Sequence, residues 1–229
     1  MPLSLIWLAI IAAFIDWIAV ARQWKLLEYL AKPAVMILLI AWLVLFAGIQ
    51  GSLVWFLLGL IFSLTGDIFL MLPKDRFIFG LIAFLLAHLS YTLGFNNDIP
   101  PISVPGLIVA VLVGITAAQL YRRIREGLIT KGYSEFKWPV LVYTIVISWM
   151  LISALWTLVQ PESSWRTFPA LLVSLGALLF FISDSLIAWD RFVSTLPSGR
   201  LAVMVTYHLA QIAIILGAAL NFSQIFSPG

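Results

Sequence analysis

Eight long apolar runs leave this chain one environment in which to fold. They are Leu3–Ala21, Ala34–Ile49, Ser52–Leu72, Phe77–Phe95, Val104–Tyr121, Trp138–Val159, Phe168–Trp189 and Leu201–Phe222. A helix crossing the hydrocarbon core of a bilayer needs about 20 apolar residues. All but the short second run approach that length. The pattern predicts an all-α membrane protein of eight transmembrane helices. Charged residues make up only 10% of the chain, against about 25% in a soluble domain. The breaks carry Gly, Pro or charge, as loops do: Gln50-Gly51, Pro73 to Arg76, Asn96 to Pro105, Gln160 to Glu162 and Leu196 to Gly199. None could hold a soluble domain, so residues 1–229 read as a single integral membrane domain. The first run follows no basic segment and reads as a span, not as a cleavable signal.

Lys and Arg placement sets an expected orientation. Arg22, Lys25 and Lys32 lie between runs one and two, Lys74 and Arg76 between three and four. Arg122, Arg123, Arg125, Lys131 and Lys137 lie between five and six, Arg191 and Arg200 between seven and eight. Of the 13 basic residues, Arg166 alone lies on the other side. Both termini are expected outside, with the basic connections cytoplasmic. The small net charge of +3 reflects this asymmetry, and no basic-aromatic patch points to nucleic acid. Cysteine is absent, which excludes disulfides and thiolate chemistry.

Two carboxylates interrupt the apolar runs. Asp67 in run three and Asp184 in run seven each precede a basic residue, Lys74 and Arg191, by seven positions. At 1.5 Å per residue both sit about 10 Å from the cytoplasmic rim. A charge inside hydrocarbon costs about 2.5–3.5 kcal/mol on insertion scales, so such residues tend to have partners and tasks. One reading is an acid–base pair in a wet pocket, one carboxyl protonated and the other ionised. The other is two separate packing contacts. Asp16, six before Arg22 and at a depth similar to the pair, reads as a rim residue, with joining the site as the alternative.

Further correspondences point to an internal repeat. Asp75-Arg76-Phe77 matches Asp190-Arg191-Phe192, Lys32-Pro33 matches Lys137-Trp138-Pro139, and His88 with Tyr91 matches Tyr207 with His208. Residues 1–100 and 101–229 then form two parallel four-helix repeats. Lys32-Pro33 is expected to open the second helix, with Lys32 at the rim, free to hold a phosphate or one of the carboxylates. His88 and Tyr91 share a helix face, as do Tyr207 and Gln211. His208 points about 100° away from Tyr207. Tyr143 is a further inward polar candidate. No His spacing fits a metal motif. Gly66, beside Asp67, lets a neighbouring helix come close or leaves room for a ligand.

Taken in order, these residues form a set. Lys32-Pro33, Gly66-Asp67-x-x-Leu70, Phe84-x-x-x-His88-x-x-Tyr91, Pro139-x-x-x-Tyr143, Gly176-Ala177-x-x-Phe180-x-x-Ser183-Asp184-Ser185 and Tyr207-x-x-x-Gln211 fall on runs two, three, four, six, seven and eight. The set resembles the YhhN-like lysoplasmalogenase family. The resemblance implies a multi-pass membrane hydrolase of a bacterial inner membrane. It would split lysoplasmalogen, a glycerophospho-ethanolamine or -choline with one vinyl-ether chain, into a fatty aldehyde and a glycerophosphodiester. Vinyl-ether hydrolysis needs an acid, a nearby anion and a positioned water, but no metal or cofactor. Asp67 and Asp184 would share the acid and base roles, as paired carboxylates do in glycoside hydrolysis. Lys32, His88, Tyr91, Tyr143, Ser183, Tyr207 and Gln211 would hold substrate and water, with the rim arginines near the phosphate.

The same carboxylates would also suit a proton-coupled transporter or lipid-binding membrane protein. Gly- or Pro-broken spans would favour that alternative, and only Gly114 and Gly176 interrupt spans centrally. The Gly66-Asp67 dipeptide also occurs in intramembrane aspartyl proteases, but their Tyr-Asp and Pro-Ala-Leu signatures are missing. Oligomeric state is not legible.

Overall fold

The computed structural model describes residues 2–72, 76–96, 103–161 and 163–223. Every regular element among them is helical: α1 (Pro2–Arg22), α2 (Lys25–Trp42), α3 (Leu53–Met71), α4 (Phe77–Phe95), α5 (Val104–Thr130), α6 (Lys137–Val159), α7 (Thr167–Phe192) and α8 (Gly199–Phe222). A π-helical turn over Leu43–Ala47 extends α2, and a 3-10 turn over Ser134–Phe136 leads into α6. All eight helices are long and apolar enough to cross a membrane, and the chain is a multi-pass integral membrane protein. Their outer faces are apolar, as lipid requires: Leu26 and Leu45 are each 75% exposed. The expectations that rest on Lys74, Asp75 and Glu162 lie outside the described residues.

Two boundaries differ from the sequence reading by nine residues each, the start of the second helix and the end of the fifth. The second helix begins at Lys25, nine residues before the apolar run. Lys32 and Pro33 therefore lie inside α2 and do not open it. The charges of Lys25, Glu28 and Lys32 face a cavity, so the segment need not be apolar to be helical. Pro33 has no N–H to donate to the carbonyl one turn back, and α2 continues through it. The fifth helix runs on to Thr130, so Arg122, Arg123 and Arg125 stand on a helix that projects beyond its apolar run. Its start follows ordinary chemistry: Ser103 Oγ accepts from the Gly106 N–H at 3.1 Å, and Pro105 occupies the first turn.

Seven helices close into a ring in the order α1, α2, α3, α4, α6, α7, α8 and back to α1, and α8 also touches α2 and α3. The remaining helix, α5, packs outside the ring on α6 and α7. It presents Val104, Leu107, Ile108, Val111 and Leu112 outward. Glycines set the closest approaches. A Cβ at Gly66 would meet the Phe84 ring at 2.6 Å, so α4 packs directly on the turn that carries Asp67. A Cβ at Gly176 would lie 2.8 Å from the Ala210 carbonyl oxygen and 2.9 Å from the Ile214 nitrogen. Those are backbone atoms of α8 and cannot rotate away. Gly176→Ala is expected to cost about 1–3 kcal/mol by overpacking, read as a lower unfolding temperature in detergent. Gly114→Ala, with nothing within 4 Å of its added Cβ, is the matched control and is expected to be neutral or slightly stabilising.

Candidate active site

Inside the bundle end where α1 meets α2, α3 meets α4 and α7 meets α8, the helices diverge around a cavity of about 470 Å³. Its walls come from α2 (Lys25, Glu28, Lys32), α3 (Asp67), α4 (Phe84), α7 (Asp184, Asp190, Arg191) and α8 (Arg200, Tyr207). Most of the buried charge therefore collects at one end of the bundle. Both aspartates predicted from the sequence lie on this wall.

Asp67 is 1% exposed and held from two sides. Lys32 Nζ lies 2.9 Å from Oδ1, and Tyr207 OH donates to Oδ2 at 2.7 Å. Because α2 starts early, Lys32 sits two turns inside the helix and reaches the carboxylate instead of marking the rim. The ammonium also lies 5.9 Å from the Tyr207 ring centroid. Asp67 thus has a full countercharge, which a buried carboxylate needs.

Asp184 has different company. Tyr143 OH donates to its Oδ2. His88 Nε2 lies 3.0 Å from the same oxygen and 2.9 Å from Tyr143 OH. His88 Nδ1 faces the Met150 sulfur at 3.2 Å, and the Phe180 ring packs edge-on at 4.6 Å between centroids. Three helices, α4, α6 and α7, supply this triad. Within the triad, His88 is the one group able to carry positive charge.

A second space begins at Asp184. It is a narrow apolar slot between α4, α5, α6 and α7, walled by Leu81, Leu120, Ile124, Val140, Tyr143 and Phe181 among others. Slot and cavity share Leu70, Phe77, Phe84, Ile187 and Asp184. Asp184 therefore stands on the boundary between a polar space and an apolar one. Asp67 lines only the polar space.

Other predicted residues serve elsewhere. Tyr91 OH donates to Gln211 Oε1 at 2.6 Å, and Gln211 Nε2 donates to Ser63 Oγ at 2.9 Å. That network ties α4, α8 and α3 together, fully buried, and does not line the cavity. Ser183 lines the cavity, but its hydroxyl donates to the Val203 carbonyl at 3.2 Å. His208 turns away from Tyr207 toward α1, where Trp17 Nε1 donates to Nδ1 at 3.2 Å. Asp16 is not at a rim: it is 0% exposed, with Oδ2 3.9 Å from His208 Nδ1. His88 and His208 belong to separate networks.

The sequence reading does not single out Glu28, and it has Arg200 only as one of the rim arginines near the phosphate. Arg200 Nη2 donates to Glu28 Oε1 at 2.6 Å across α2 and α8. Glu28 stands one turn before Lys32, so extending the second helix back to Lys25 would have put both on one face.

The YhhN family matches residues 27–218 of the chain. The chain belongs to this family. Lysoplasmalogenase TMEM86B of Mus musculus is 32% identical over 213 residues, which cover 91% of this chain and 82% of the mouse protein. Lysoplasmalogenase TMEM86A of Homo sapiens is 33% identical over 162 residues, or 70% of this chain but only 63% of the human protein. The membrane protein YhhN of Escherichia coli O157:H7 is 28% identical over 193 residues, 79% of this chain and 83% of that protein. No solved structure matches the chain.

Proposed function

We propose that the chain hydrolyses the vinyl-ether bond of lysoplasmalogens, releasing a fatty aldehyde and a glycerophosphodiester. The observation that carries this reading is the position of Asp184 where polar cavity meets apolar slot. A vinyl ether joins an apolar chain to a polar glycerophosphate. In any bound pose that respects both, the scissile bond lies at such a boundary. The names of the TMEM86 relatives supply the substrate class.

Asp184 is then the general acid and Asp67 the anion. Asp184 gives its proton to the alkene carbon two bonds from the ether oxygen, leaving an oxocarbenium ion at the carbon bonded to oxygen. Water adds there, and Asp67 takes the proton that water loses. The hemiacetal hydroxyl then gives its proton to Asp184 as the carbonyl forms and the bond to the glycerol oxygen breaks, and Asp67 returns its proton to that oxygen. One water is consumed, and each carboxyl returns to its starting state. The roles follow the neighbours: Lys32 supplies a countercharge for the anion, while Tyr143 and His88 fix one oxygen of the acid. The cavity leaves space for water beside Asp67. The two-repeat arrangement, the outside termini and a bacterial inner-membrane location belong to this proposal.

The test gives purified protein an alkenyl and an acyl lysophospholipid with the same head group. Aldehyde from the alkenyl lipid alone is the expected result. Fatty acid from the acyl lipid, or no aldehyde at all, overturns the reading. Proton-coupled uptake of an unchanged solute by proteoliposomes would select the transporter alternative.

A further inference from the structure

The mouth of the cavity holds a carboxylate that the chemistry above does not use. Glu28 is only 6% exposed, yet it lines the cavity. Its Oε1 takes the Arg200 guanidinium at 2.6 Å. Its Oε2 is buried and has no hydrogen-bond partner among the described residues. A buried, unmet charged acceptor is costly, so the arrangement is complete only when a donor arrives. The other carboxylate at this mouth, Asp190, has work of its own: Oδ1 accepts from the Leu196 N–H at 2.7 Å in the turn before α8.

Arg200 complements this acceptor. Its side chain is 57% exposed, and a guanidinium has five N–H donors in a fixed fork. One edge on Glu28 leaves others for a phosphate oxygen, the partner that fork suits. Free acceptor and free donor therefore stand side by side as a charge pair. The ligand that answers both is a zwitterion of opposite sense, phosphate on Arg200 and ammonium on Glu28.

We propose that Glu28 and Arg200 form a head-group subsite for a phosphodiester bearing a primary ammonium, the phosphoethanolamine class. Oε2 can accept from an N–H of a primary ammonium, which a trimethylammonium lacks. A phosphoglycerol head group brings phosphate to Arg200 but no cation to Oε2. The inference rests on the hydrolase reading for its substrate and adds the head group that the site selects.

The experiment compares alkenyl-glycerophosphoethanolamine, -choline and -glycerol by aldehyde release. Wild-type protein is expected to prefer ethanolamine about tenfold in kcat/KM, the worth of one hydrogen bond to a charged group. Glu28→Gln is expected to erase the preference through KM, with kcat on each lipid moving far less. Arg200→Ala is expected to weaken all three lipids alike, since all carry phosphate. Equal rates on all three head groups in wild type, or a preference that survives in Glu28→Gln, would overturn the subsite. Binding of the saturated alkyl-ether analogues, read by tryptophan fluorescence, needs no chemistry. If no substrate yields aldehyde but the ethanolamine ether still binds in a Glu28-dependent way, the hydrolase reading falls and the subsite stands. Aldehyde release indifferent to head group gives the reverse. Diacyl phosphatidylethanolamine, added as competitor, separates a substrate subsite from a site for bulk lipid: inhibition matching that by the alkyl ether would overturn the assignment to substrate.

Discussion

Asp184→Asn is expected to reduce aldehyde release about 10²–10⁴-fold, the usual contribution of a positioned general acid. The amide fits the same space and still offers an oxygen to Tyr143 and His88. What it lacks is a proton that can be passed to carbon. Alkene protonation forms the oxocarbenium ion and is the step that needs the strongest acid, so the loss belongs in kcat. Binding of the alkyl-ether analogue should be retained, because Asp184 lies where cavity meets slot and takes no part in the Glu28–Arg200 pair. An unfolding temperature near that of wild type shows that the fold persists. Activity above about a tenth of wild type would remove Asp184 from the acid role, since general acid catalysis contributes at least ~10²-fold. Tyr143→Phe makes a milder companion. It deletes the hydroxyl that donates to Oδ2 but keeps the proton source, so its loss should be smaller than that of Asp184→Asn.

Much of this bundle was legible because lipid imposes one rule on every outward face. Eight apolar runs became eight helices, and four of their limits, those of α1, α3, α4 and α6, agree with the structure to within a residue. The rule fails where a helix faces water inside the protein. Lys25 to Pro33 carries three charges and a proline, which hydropathy reads as a loop. In the structure its polar face lines the cavity, and the segment is helical throughout. Hydropathy stops short of Arg122 to Thr130 for a related reason, since α5 extends past the apolar stretch with its charges exposed.

The site was legible in its members more than in its wiring. Intramembrane carboxylates stand out because hydrocarbon makes them expensive, which singles out Asp67 and Asp184, while Lys32, His88, Tyr143 and Tyr207 are legible from helix-face spacing and the ordered motifs. Which residue holds which is a question of pairs between helices, and spacing along one chain does not encode it. Asp67 is held by α2 and α8, Asp184 by α4 and α6. The likeness of their depths concealed that difference in company. The apolar slot was equally hidden. Leu120, Val140 and Phe181 look like any lipid-facing or core residues until α5 packs against α6 and α7.

The Lys32–Asp67 pair is expected to show the largest stability effect of any single residue in the site. Both side chains are nearly buried, 6% and 1% exposed. Lys32→Met keeps the bulk of the stem but leaves a carboxylate without countercharge, a change that costs about 3–5 kcal/mol for buried pairs. Asp67→Asn should cost less, because the Lys32 stem can swing its ammonium toward the open cavity. The double variant, Lys32→Met with Asp67→Asn, removes both charges, and Tyr207 can still donate to the amide oxygen. It should recover much of the stability that Lys32→Met loses. Unfolding in detergent, run as a double-mutant cycle, reads the coupling directly. A Lys32→Met protein as stable as wild type would mean that the pair is not closed in the membrane. Activity separates support from chemistry. If Asp67 accepts the proton from water, the double variant folds well and releases no aldehyde. If the pair only braces α2 against α3, stability and activity return together.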